Sequence, residues 1–147
     1  MKKLKKASPI IITLLIIGFI YSFFHISGWE IKNVKELNDA KLVTVVVSDE
    51  NSDGSIEHQL SKNQIELLQN LLEDNSYNRR LSSTIIGVLP ETRYNILANW
   101  NDNGQKHLHI SILGGEYIQF LGQFGSHYHE IKNPDFEKVL ISIIEAK

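Results

Sequence analysis

Apolar residues run almost unbroken from Ile10 to Phe24, and only after about residue 41 does the chain settle into alternating and helical patterns. Lys2, Lys3, Lys5 and Lys6 precede the apolar run. Counted from Ser8 to Gly28, the stretch is about 21 residues, close to the ~20 that cross a ~30 Å hydrocarbon core. Two readings compete: a cleaved export signal, or an uncleaved anchor. Ile20 stands two before Ser22 and His25 two before Ser27, so neither serine completes a small-x-small cleavage site, which favours the anchor. A buried core helix would need no basic leader. The expectation is a signal-anchor or transmembrane helix over 1–28 in the cell membrane, single-pass, with Tyr21 and Trp29 near one interface. The lysines would keep the N-terminus cytoplasmic and place the C-terminal domain outside the cell; secretion after signal cleavage is the alternative. Residues 29–41, polar and mixed in charge, read as a tether, leaving 42–147 as an extracytoplasmic domain.

Within that domain, Leu42–Ser48 is rich in β-branched residues, and Asp53-Gly54 turns it toward Ile56–Leu60. Ser61 with Gln64 forms a capping box ahead of an apolar stripe (Ile65, Leu68, Leu72) that predicts a helix to about Asn75. Ser82–Leu89 is β-prone and stopped by Pro90. Tyr94–Trp100 alternates, Asn103-Gly104 turns the chain into Lys106–Leu113, Gly114-Gly115 turns it into Tyr117–Leu121, and Gly122–Gly125 leads to His127–Ile131. Asn133-Pro134 then opens a second helix marked by Phe136, Leu140, Ile143 and Ile144. Strands in a run with helices apart from them predict an α+β fold, an antiparallel sheet of about five to seven strands with two helices packed on one face.

Composition narrows the function classes. Hydrophobic residues are 42% and charged residues 22%, ordinary globular usage. From Trp29 onward 11 Lys and Arg face 17 Asp and Glu, so the net charge there is 11 − 17 = −6, and nucleic acid is not an expected partner. The absence of cysteine excludes disulfides, thiolate metal sites and a cysteine nucleophile. No nucleophile elbow, zinc-protease helix, phosphate loop or dinucleotide fingerprint occurs, so no enzyme activity is expected.

Two constellations are candidates for chemistry. His107 and His109 lie two apart on one predicted strand, and His127 and His129 two apart on another. With a two-residue turn at Gly114-Gly115, His107, Gly122 and His127 would form one row. The outer imidazoles could then meet over the glycine around a zinc-type ion, oriented by Glu116 or Glu130, with His109 and His129 weaker candidates. The competing reading is a solvated sheet face of polar residues. Asp49, Asn51, Asp53 and Gly54 match the first half of a calcium loop, but Leu60 stands where the bidentate glutamate belongs, and a hairpin turn accounts for the same residues. Tyr94, Trp100, Tyr117, Phe120, Phe124 and Tyr128 cluster on the predicted sheet, either as a second core layer or as an aromatic sheet face for a protein or peptide partner.

The order of strand, turn, capped helix (Ser61–Asn75), proline-stopped segment (Pro90), alternating strand (Tyr94–Trp100), turn at Asn103-Gly104 and late aromatic strand at Tyr128 resembles small membrane-anchored or secreted extracytoplasmic domains of unknown function of Gram-positive bacteria. The resemblance is one of layout over roughly 100 residues. It implies an accessory domain of no established activity and assigns no residues. The expected function is a non-enzymatic binding module of the cell envelope, holding the membrane through residues 8–28. The alternative is a histidine-based metal-binding protein or metal-dependent hydrolase.

Overall fold

The computed structural model describes residues 9–49, 54–80, 90–101, 106–122 and 127–146. Its elements in chain order are α1 (Pro9–Phe24), β1 (His25–Ser27), two short 3₁₀ turns (Gly28–Glu30 and Leu37–Asp39), β2 (Leu42–Asp49), β3 (Ser55–Gln59), α2 (Lys62–Glu73), β4 (Ser76–Arg79), β5 (Thr92–Asn99), β6 (His107–Leu113), β7 (Tyr117–Leu121), β8 (His129–Ile131) and α3 (Phe136–Glu145). The fold is α+β, built on one sheet in the order β1-β4-β8-β7-β6-β5-β2-β3, with every pairing antiparallel.

The sheet has eight strands rather than five to seven, and three helices stand where two were expected. The additional strands, β1 and β4, are short and pair with each other. The β-prone stretch Ser82–Leu89 lies outside the described residues, as do the turns at Asn103-Gly104 and Gln123–Ser126.

Cross-strand partners share a face, so the register identifies the core side directly. Val45, Ile96, Ile110 and Phe120 form one buried row. A second runs Val47, Tyr94, Ile112, Ile118, His129 and Arg79 across six strands. Buried side chains of α2 (Ile65, Leu68, Leu71, Leu72) and α3 (Phe136, Leu140, Ile143, Ile144) join these rows in one apolar cluster.

The expected anchor requires correction. Among the described residues no helix is long and apolar enough to cross a membrane. Helix α1 has 16 residues, roughly 24 Å at 1.5 Å per residue. The sheet takes the next residues for itself: His25, Ile26 and Ser27 pair with Asn78, Tyr77 and Ser76, and Ile26 and Gly28 are buried. A single-pass membrane protein, and the extracellular placement derived from it, are therefore not supported. Helix α1 buries no residue, and its apolar side chains from Ile10 to Phe23 are exposed.

Residues 29–41, read as a tether, fold against α2. Ile31, Val34 and Leu37 are fully buried, and the Gln69 side chain accepts from Asn38 N and donates to Lys35 O, both at 3.0 Å. Trp100 Nε1 donates to Glu36 O at 2.8 Å, and the Lys106 ammonium pairs with the Glu36 carboxylate, so the segment is tied to the sheet as well.

Gln64 joins the two core helices. Its Oε1 accepts from Ser61 N at 2.8 Å, completing the capping box of α2, while Nε2 donates to Ile143 O at 2.8 Å and Ala146 O at 2.9 Å, carbonyls that the end of α3 would otherwise leave unsatisfied. Gln64→Ala removes the acceptor and the donor together, and we expect a loss of about 2–4 kcal/mol in urea unfolding. Gln64→Glu keeps the cap acceptor but points a carboxylate at carbonyl oxygens, and should recover less than half of that loss.

Candidate functional site

The β6–β7 turn decides where the histidines go. It spans three residues, Gly114–Glu116, because Glu116 N bonds Leu113 O at 3.0 Å and Leu113 pairs with Tyr117. Gly114 and Gly115 take left-handed φ values of 51° and 68°, which a side chain would strain. Relative to a two-residue turn the register moves by one: His109 faces Leu121, and Phe120 turns inward opposite Ile110.

His107 and His109 therefore lie on the face away from the helices, His107 opposite Asn99 and His109 opposite Leu97. His129 lies on the core face, opposite Ile118 and fully buried, with its ring 6.0 Å from that of Phe120. The two HxH pairs do not share a row, and Gly122 does not lie opposite His107. His127 precedes β8 and is half-buried. Glu116 and Glu130 line a cavity with Glu137 that no histidine lines. Among the described residues no group of three or more His, Cys, Asp or Glu side chains could hold a metal ion. Of the calcium-type loop, Asn51 and Asp53 lie outside the described residues, while Asp49 ends β2.

The aromatics also divide by register. Tyr94, Trp100 and Phe120 are buried with the helices, Tyr117 is half-buried on the opposite face, Tyr128 is half-buried before β8, and Phe124 lies outside the described residues. They do not form one sheet-face patch.

Register instead assembles a groove that no local spacing suggested. Among the described residues strand β3 ends the sheet and pairs only with β2. Ile56, opposite Val47, and His58 two residues on both face the helix side. Helix α3 stops short of covering this edge, leaving a cavity of about 280 Å³ walled by Val47, Ile56, Ile141 and Ile144, with Tyr94, His58 and Glu145 at its rim. Ile56 is 64% exposed, an unusual fraction for a β-branched residue over an apolar wall. The Tyr94 hydroxyl donates to Glu137 Oε1 at 2.9 Å. Burial, and then the Glu137 carboxylate it serves, push its ionisation far above the ordinary range, so it remains a neutral donor. The signal available in sequence was the pair Ile56 and His58 two apart after Asp53-Gly54, but the α3 wall is brought in by tertiary packing alone.

Comparison with protein-family models, curated proteins and solved structures finds no match to this chain.

His129 gives this core a pH dependence. Burial lowers its basicity first, the nearby Arg79 guanidinium lowers it further, and the backbone of Ile118 and His127 near the ring partly offsets both. Its folded pKa lies below the unfolded value of about 6.5, so between the two the unfolded chain binds more protons. Stability should be full above about pH 6.5 and fall as the pH drops toward the lowered folded value. Urea titrations from pH 7.5 to 5 should show that slope, and His129→Leu should flatten it. His109, lowered by burial and by His107, contributes a slope of the same sign that His109→Gln would remove.

Proposed function

We propose that the chain is a non-enzymatic binding module that receives an extended peptide along the open edge of β3, seating one large aliphatic side chain in the groove between β3 and α3. The observation that carries this reading is the coincidence of an unpaired strand edge with an adjoining apolar cavity. On an edge strand every second residue turns its N–H and C=O outward, where another strand can take them up, and alternate side chains of that strand then reach the flanking groove. The main chain would supply affinity and the cavity selectivity.

The rim chemistry supports a particular class of occupant. Glu145 is the only acidic or Lys/Arg side chain among the described residues lining the cavity, and the chain from Trp29 onward carries a net −6 from 11 basic and 17 acidic residues. A segment alternating aliphatic and basic residues fits both features. Electrostatic attraction would speed its arrival, and the aliphatic anchor would hold it.

A fluorescein-labelled decapeptide of alternating valine and lysine is the probe. Fluorescence anisotropy should show saturable binding that weakens at least about ten-fold in Ile56→Asp, which places a charge against the aliphatic anchor. Because Ile56 is 64% exposed, its urea midpoint should stay close to wild type. Equal affinity in wild type and Ile56→Asp would sink the proposal.

A further inference from the structure

Toward the far end of the sheet from this groove, β4 ends at the first of two consecutive arginines. Arg79 pairs with His129 across β4 and β8, and Arg80 follows immediately. Both line a cavity of about 200 Å³, together with Phe23 and Phe24 at the end of α1 and with His127. No acidic side chain among the described residues lines it. We propose that Arg79, Arg80 and His127 bind a phosphate group.

Three observations bear on this. Neither arginine takes part in an ion pair among the described residues, although acidic residues outnumber basic ones beyond Trp29. Each guanidinium lies on an aromatic ring instead, Arg79 4.8 Å from the centroid of Phe23 and Arg80 5.2 Å from the centroid of Tyr117. Stacking of that kind fixes the guanidinium plane while leaving its N–H fork to bond an oxyanion. Finally, His127 lines the same cavity, and its buried Nδ1 has no hydrogen-bond partner among the described residues.

Arg79 and Arg80 leave the strand on opposite faces and come together only as lining of this one cavity, where the phenylalanines beside them reduce the water that would screen their mutual repulsion. A dianion removes it. A phosphate offers oxygens to both forks, with one left for the imidazole, and arginine recognises it in the bidentate manner that lysine cannot reproduce. The phosphate could arrive free or as the headgroup of a lipid, since the same atoms would bind either.

Titration calorimetry of the full chain with inorganic phosphate, and flotation with vesicles of phosphatidylglycerol in phosphatidylcholine, separate the sources. Saturable phosphate binding that weakens at least about ten-fold in both Arg79→Gln and Arg80→Gln, and only partly recovers in the lysine variants, supports a free ligand. Flotation that depends on phosphatidylglycerol and on both arginines, without binding of inorganic phosphate, supports a headgroup. Circular dichroism confirms that each variant is folded, and His127→Asn, which retains a side-chain donor, should bind better than His127→Ala. The proposal fails if neither probe binds, or if the glutamine variants bind as wild type does.

Discussion

Between Leu113 and Tyr117 the chain reverses through three residues, and the orientation of the central sheet follows from that odd number. With this turn Ile118 and Phe120 face Ile112 and Ile110 in the core; one residue fewer or more would send both outward and bring Tyr117, Gln119 and Leu121 in. Each fully buried aliphatic or aromatic side chain contributes about 1.5–3 kcal/mol, so a slip costs several kcal/mol and the register is strongly specified. Two left-handed glycines make the turn, and Gly115 does so against α3: a Cβ there would come within 2.4 Å of Glu137 Cβ. Local conformation and tertiary packing thus require the same residue.

From this register both candidate sites follow. The row Val47, Tyr94, Ile112, Ile118, His129, Arg79 runs from the wall of the β3 groove to the first arginine of the second site. The middle of that row is buried and apolar, and its two ends are where helix cover gives out. The sheet therefore places the two proposed binding surfaces several strand spacings apart, with the buried His129 between them. Arg79 influences that histidine through its charge, so an anion neutralising the arginine would also ease protonation of the core imidazole.

Much of this fold was legible because it is local. The capping box of Ser61 and Gln64, the apolar stripes of α2 and α3, and the alternation in β5, β6 and β7 are patterns within one element. What sequence missed depends on partners. His25–Ser27 continues a long apolar run and becomes a strand only because β4 pairs with it, and Ile31, Val34 and Leu37 look sparse among polar residues until α2 and the sheet enclose them. The histidine row assumed two registers that the sheet does not have: β6 and β7 pair one residue away from the assumed alignment, and β8 pairs His129 with Ile118 rather than His127 with Gly122, offsets that the glycines of the two turns do not fix by themselves. Of the groove, Ile56 and His58 were visible as neighbours on one face, while Ile141 and Ile144 reach them only through the packing of α3.

An open strand edge carries a standing hazard, because any other strand can pair with it, and proteins usually blunt such edges with proline, lysine or a bulge. Strand β3 has none of these; its pairing with β2 is continuous from Ser55 to Gln59, and its single charge, Glu57, lies on the face away from the groove. On the groove side it displays Ile56, where a polar residue would lower the risk of association at little cost to stability. The opposite edge is treated differently: β1 has only three residues, and α1 leads directly into it. The same chain thus shortens one edge to three residues and, among the described residues, leaves the outer side of the five-residue β3 unpaired, with Ile56 displayed beside an apolar cavity, an asymmetry that the proposed strand addition at β3 would account for.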